Sequence, residues 1–308
     1  MIPKSIICIG AALLDESFSC YQEPICGTSN PARYYRSSGG VACNIAHHLA
    51  LLQHSVELIS CFGNDPDGKW LKDECRNSGI GISHSVESAF DTGRYMALLS
   101  PSGELFAGAM SGHFDEEITP AFLETKIALL KTAALIQLDC NLHKECINWL
   151  LDFCNSNTIH CVIEPVSIPK AARLQKANLQ NVLLLTPNSD ELAAISESTA
   201  DKNRDALIQH LLQRGVQYLW LRNGKNGSGI YSNDIKVEIA ALPVEVTDIT
   251  GAGDAAMAGW IHAWLNGKDI EDCVRYGHAL AAIILQVKGA INRKLTLEIL
   301  ENTFKLIN

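Results

Sequence analysis

Residues 181–192 read NVLLLTPNSDEL: a short, uninterrupted apolar run that stops at Pro187 and passes into Asn188 and a helix-forming segment. A strand with one wet face alternates apolar and polar residues. A run that is apolar throughout is buried on both faces, as in a parallel sheet covered by helices. The same pattern recurs in ALIQLD (134–139) and HCVIE (160–164), each followed by a helical segment. Toward the N-terminus KSIICIG (4–10) and VELISCFG (56–63) read as strands, and VACNIAHHLALL (41–52) and DGKWLKDECRNSG (67–79) as helices, the second ending on Gly79. This βαβα order predicts a doubly wound α/β fold with a mostly parallel sheet flanked by helices.

Two regions break the alternation. Residues 16–37 carry no helix signal and end in ARYYRSS, and DTGRYMALLSPSGELFAGA (91–109) reads as a hairpin turning at Pro101–Gly103. Either they are ordinary surface strands or, with the second segment extending to 112, they form a small β lid over a site.

The composition narrows the function. The chain has 308 residues, 47% hydrophobic and 19% charged, enough to bury a core as a single domain over 1–308. A net charge of −9 argues against a nucleic-acid partner. The longest apolar runs fall short of a membrane span, and MIPKSIICIGAALLDESF predicts a buried first strand rather than a secretory signal. Eleven cysteines, without any C-x-x-C or zinc-finger spacing, read as small core residues of a reduced, cytoplasmic protein in which structural zinc is not expected. His47, His48 and His54 read as helix-face or surface residues, Trp260 and Trp264 as core, and Asp139 as a strand-end residue that either touches substrate or caps a turn.

Ligands of open parallel sheets bind beyond the carboxyl ends of the strands. Polar residues and glycines recur there: Asp15, Gly39–Gly40 with Asn44, Asn188 with Glu191, and DITGAGDAAMAGW (248–260), which follows VEVTD. In that last stretch Gly251 and Gly253 let the backbone approach a ligand, and a helix beginning there offers free N–H groups and a positive dipole end to an anion. A phosphate alone explains the glycines but not Asp254. Phosphoryl transfer explains both: the loop neutralises the transferred group, and Asp254, kept ionised by the helix terminus, accepts the proton of the attacking hydroxyl. Two other readings stand beside it, an ordinary glycine-capped helix start and a dinucleotide fingerprint on Gly251, Gly253 and Ala256. Too little chain follows Ala256 for the rest of a dinucleotide fold. No Walker loop occurs.

These motifs resemble, in order and nearly end to end, those of the ribokinase-like (PfkB) carbohydrate kinases. DITGAGDAAMAGW is similar to their C-terminal signature and SGGVACNIAHHLALL to their N-terminal one. TPNSDEL resembles their N-x-x-E element, and LWLRNGKNGSGIY their strand–turn–strand beside the nucleotide. Within the family TSNPARYYRSSGGV, ALIQLDCNL and CVIEPVSIPK are closest to the pseudouridine kinases. The resemblance implies a ribokinase-like fold with a small β-sheet lid, and transfer of the γ-phosphoryl of ATP, with Mg²⁺, to the 5′-hydroxyl of a nucleoside such as pseudouridine. Another sugar or nucleoside kinase, or a non-catalytic protein on the same fold, are the alternatives.

It further implies Asp254 as catalytic base and Gly251, Ala252 and Gly253 as anion hole. Asp15, Gly39, Gly40 and Asn44 would hold the sugar, with Ser29 and Asn30 at the base; the alternative for Ser29 and Asn30 is a turn before Pro31. Asn188 and Glu191 would organise magnesium, with Glu164 acting through water; the alternative for Asn188 and Glu191 is a helix cap. Gly224 would lie by the ATP phosphates or ribose, and Asn292 over the adenine. Asp248 and Thr250 match a monovalent-cation (K⁺) site or, equally, a strand-end turn. Relatives imply a homodimer through the lid. The chain departs from the pseudouridine kinase pattern at Cys43, where arginine is common, and at Ser111, where an acidic residue is common. Glu164 stands where many family members have aspartate.

Overall fold

The computed structural model describes residues 5–112, 114–197 and 203–307. In chain order the strands are β1 (Ile6–Ile9), β2 (Leu13–Cys20), β3 (Ala32–Gly39), β4 (Val56–Ile59), β5 (Cys61–Gly63), β6 (Val86–Ser88) and β7 (Arg94–Leu99). They continue as β8 (Leu105–Ser111), β9 (Leu135–Asp139), β10 (Cys161–Glu164), β11 (Val182–Leu185), β12 (Tyr218–Arg222), β13 (Ser228–Tyr231) and β14 (Lys236–Ile239). The main sheet has the order β14-β13-β12-β11-β10-β9-β1-β4. The pairs from β4 to β12 are parallel, and the pairs β12–β13 and β13–β14 are antiparallel.

The uninterrupted apolar runs do what their pattern requires. Along β1, Ile6 and Cys8 enter the core on one face and Ile7 and Ile9 the core on the other. The first face is covered by the helices Val41–Leu51, Ala252–Leu265, Ile270–Leu285 and Leu297–Phe304. The second is covered by Lys144–Asn157, Ser189–Ile195 and Arg204–Gln213. Trp260 is buried and stacks on the partly buried Trp264 at 6.3 Å between centroids, as expected of core residues.

The two irregular regions meet in a second sheet of order β3-β2-β7-β8. β2 pairs antiparallel with β3 and parallel with β7, and β7 turns through Ser100–Gly103 into β8. The two regions therefore form one small sheet, as the lid reading requires, and the first segment begins earlier than expected, at Leu13. A charged network ties this sheet to the helix Pro66–Asn77. Glu16 accepts from the Tyr34 hydroxyl at 2.7 Å and from Arg94 at 3.1 Å, and Asp67 accepts from Arg36 and Arg94, both at 2.9 Å.

Four local expectations change. VELISCFG is two strands, because Ser60 leaves the main sheet: its hydroxyl donates to Gly10 O at 2.7 Å, and β5 then pairs with β6. VEVTD forms no ladder. It follows Pro243, and Thr247 N and Asp248 N donate instead to Leu285 O. His47 and His48 are buried rather than at the surface, and burial together with the neighbouring His47 pushes His48 down to about 3, keeping it neutral. The predicted strand 4–10 is realised at Ile6–Ile9; Lys4 lies outside the described residues.

Candidate active site

The sheet changes winding direction at β1, whose neighbours are β4 and β9, and a crevice opens beyond the carboxyl ends there. Asp139, the last residue of β9, closes the floor. Its carboxylate accepts from Ala11 N at 3.1 Å, Ala42 N at 2.9 Å and Asn141 N at 2.9 Å. These bonds only partly offset desolvation, which pushes its pKa up to about 6. Of the two readings of Asp139, turn-capping is the one observed. It staples the loop after β1 to the start of the helix Val41–Leu51.

Asp15 on β2 lies against Gly39: a Cβ there would sit 2.8 Å from Asp15 Oδ2. Gly40 has φ 93°, and its added Cβ would sit 2.3 Å from Ala11 O, so both glycines are required by what surrounds them. Burial, with Asp248 adding to it, pushes Asp15 up to about 6. A half-desolvated carboxyl over bare backbone suits a ligand carrying hydroxyl donors. A cleft lined by Ser37, Ser38, Gly289 and Ala290 opens alongside.

The helix Ala252–Leu265 begins on Gly251 at φ 74°, with no side chain capping its first turn. Ala252 N donates to Ile249 O at 3.4 Å, and the remaining first-turn N–H groups form the positive end of the helix, where an anion is favoured. A Cβ on Gly251 would strike Ala290, and one on Gly253 would lie 2.6 Å from Arg222 Nη1. Asp254, in that first turn, is buried and accepts from Asn44 Nδ2 at 2.8 Å. Desolvation pushes its pKa up to about 8 despite the Asn44 bond, with Glu164 adding to the rise and Arg222 opposing it. In the ligand-free site burial works against the expectation that the helix terminus keeps Asp254 ionised.

Arg222, at the end of β12, escaped the sequence reading. Its Nη2 donates to Glu164 Oε1 at 2.6 Å, while its Nη1 borders Gly253. Glu164 also accepts from the Thr186 hydroxyl at 2.8 Å. Asn188 and Glu191 form a reciprocal capping box: Glu191 N donates to Asn188 Oδ1 and Asn188 N to Glu191 Oε2, both at 2.9 Å. The helix-cap alternative is thus present in full, and it leaves Glu191 Oε1 for other use. Burial and the neighbouring Glu164 push Glu191 upward. Two carboxylates and Asp254 share one guanidinium, a surplus of negative charge and hard oxygen that fits a magnesium ion.

Other expected residues are engaged differently. Asn30 braces its own loop, with Oδ1 accepting from Ile25 N at 2.8 Å and Nδ2 donating to Ile25 O and Thr28 O. The turn reading is thus present at Asn30, and Ser29 beside it is exposed. Asp248 accepts from Thr250 N at 2.9 Å and Gly289 N at 3.0 Å, which is the strand-end turn. Asn292 Oδ1 accepts from Lys294 N, again a local turn. Gly224 starts the β12–β13 turn at φ 53° with open space where a side chain would be.

The profile of the pfkB family carbohydrate kinases matches residues 3–297. The chain belongs to this family. Among pfkB relatives it is 28% identical over 298 residues to the pseudouridine kinase of Escherichia coli K12, covering 95% of this chain and 94% of that one. It is 31% identical over 268 residues to an uncharacterized sugar kinase of the same organism, covering 86% and 73%. A carbohydrate kinase from Agrobacterium tumefaciens superposes with a TM-score of 0.85 at 25% identity, over 99% of this chain and 98% of that one. The fold is ribokinase-like, and the protein is a phosphotransferase acting on an alcohol group of a sugar or nucleoside, with ATP as the family's phosphoryl donor.

Proposed function

We propose that this kinase transfers the γ-phosphoryl of ATP to the 5′-hydroxyl of a nucleoside, with pseudouridine as the preferred acceptor. The observation that carries the reading is Asp254: a buried carboxyl in the first turn of an uncapped helix, held by Asn44 and facing Arg222. Asp15, over Gly39 and Gly40, holds the ribose hydroxyls, and the nucleoside lies under the lid. Asp254 takes the proton from the 5′-oxygen as that oxygen attacks phosphorus and the bond to the β-phosphate oxygen breaks. The amides of Gly251, Ala252 and Gly253 and the Arg222 guanidinium neutralise the transferred group. Glu164 and Glu191 would hold magnesium through water, and the bound ion supplies charge neutralisation on the phosphates. Arriving positive charge also draws the Asp254 carboxyl downward toward its ionised form.

Preference for pseudouridine rests on the similarity to the Escherichia coli enzyme across nearly the whole chain. The chain reads as one kinase domain with its lid, and its free cysteines suit a reducing, cytoplasmic setting. The exposed Leu105, Phe106 and Met110 of β8, on the edge of the lid sheet, support a homodimer through that edge. Measuring ADP release with pseudouridine, uridine, adenosine, ribose and fructose tests the substrate. The highest kcat/KM for pseudouridine is expected. A higher value for ribose or adenosine would overturn the preference, and no turnover with any of them would overturn the kinase reading.

A further inference from the structure

Cys43 and His47 lie one turn apart on the helix Val41–Leu51, and the helix Pro66–Asn77 brings Cys75 against them. The two sulfurs are 3.9 Å apart, and both lie within 4.8 Å of an imidazole nitrogen of His47. All three side chains are buried. Ser78 Oγ pairs with His47 Nδ1 at 3.0 Å, which fixes the ring, and Nε2 is buried with no partner. A buried imidazole nitrogen is ordinarily satisfied; among the described residues both nitrogens of His48 are likewise unsatisfied, but His47 alone has two thiols beside it.

The sulfur spacing sets the pair apart from a disulfide and is compatible with a shared ion. A disulfide needs sulfurs about 2.05 Å apart. Two thiolates on one tetrahedral zinc, each at about 2.3 Å, stand about 3.8 Å apart. The observed distance suits a bridging ion. We propose that Cys43, Cys75 and His47, through Nε2, bind a thiophilic d¹⁰ cation of the Zn²⁺ class. Two thiol protons are released as two metal–sulfur bonds form, and the neutral imidazole donates a lone pair. Ser78 orients the imidazole from behind, as partners of metal-bound histidines do. Soft thiolates select zinc, cadmium or cuprous copper over magnesium, so the site does not compete with the oxygen-rich centre near Asp254. The sequence hid it because Cys75 is 32 residues from Cys43 and joins it only through helix packing.

The ion would clamp two elements that matter to the crevice. Cys43 precedes Asn44, whose amide holds Asp254, and the helix bearing Cys75 also bears Asp67, which anchors the lid. The test uses the full chain stripped by chelator. Cd²⁺ and Co²⁺ are added to follow thiolate charge-transfer absorption, and Zn²⁺ affinity is read by competition with a chromophoric chelator. One ion per chain is expected, with a rise in Tm on Zn²⁺ addition. Ser78→Ala should weaken binding about 10–100-fold, and Cys75→Ala and His47→Gln should weaken it further and abolish the rise in Tm. Cys26→Ala, at the exposed thiol, should change nothing. No thiolate band in wild type, or equal Zn²⁺ affinity in a folded His47→Gln or Cys75→Ala variant, would overturn the proposal. These readouts do not depend on turnover, so they stand or fall apart from the kinase reading.

Discussion

Replacing Asn44 by alanine should move the pH dependence of catalysis rather than only its height. Asn44 Nδ2 donates to Asp254 Oδ2 at 2.8 Å, and this bond opposes the desolvation that lifts the carboxyl to about 8. A hydrogen bond to a charged group contributes about 1.5–3 kcal/mol, and about 1.36 kcal/mol corresponds to one pKa unit. Asn44→Ala should therefore lift Asp254 by about 1–2 units further. At pH 7 the ionised fraction, already small in the free enzyme, falls by a further factor of about 10–100. The assay is kcat/KM between pH 6.5 and 10, which reports the free enzyme, with ADP measured directly after quenching so that no coupling enzyme sets the profile. The rising limb should shift upward by that amount, and most of the lost activity should return at the alkaline end. An unshifted midpoint with the same fold-loss at every pH would refute the reasoning, leaving Asn44 as a sugar contact that does not tune the base.

Asp254→Asn should lower turnover by roughly 10²–10⁴-fold while ATP still binds by calorimetry. The same variant should be more thermostable than wild type, and more so at pH 8 than at pH 5. The folded pKa is raised from 3.8 to about 8, so this group's contribution to stability is full below the unfolded value and is lost as pH rises through the folded one; an equal gain in Tm at both pH values would refute that linkage. Arg222→Met strips Glu164 of its partner and the transferred phosphoryl group of a cation. It should cut kcat by at least tenfold in a stopped-flow single turnover, and an unchanged rate would remove Arg222 from the mechanism. Gly40→Ala places a side chain at φ 93° against Ala11 O; so sparsely populated a conformation alone costs about 1–3 kcal/mol, and Tm should fall measurably. Phe106→Asp on β8 should shift the molecule to monomer in light scattering if the lid edge is an interface, and an unchanged mass would refute it.

Most of the architecture was legible because buried strands and amphipathic helices write their environment into the sequence. NVLLLT and HCVIE became β11 and β10, and the helix starting at Gly251 lies where the glycines placed it. The site was legible in its backbone-dictated parts, since Gly40 and Gly251 meet backbone that leaves no room for a side chain, and Gly39 and Gly253 border Asp15 and Arg222. The rest depended on long-range encounters. Nothing local marks Arg222, whose place is set by Glu164 and Gly253 from distant parts of the chain. Asn30 offered acceptor oxygens on paper, but its own loop consumed them. The charge state of Asp254 was misjudged because local sequence shows a helix dipole and does not show how much water is excluded.

Of the eleven cysteines, only Cys26 is exposed, in the loop joining the two lid strands β2 and β3. The wild-type enzyme thus carries a natural attachment point for a maleimide dye beside its second sheet, while the remaining thiols are shielded in the fold. A fluorophore or spin label placed there would report on that sheet directly, without first removing ten other cysteines, and would show whether it responds when ATP and a sugar or nucleoside are added.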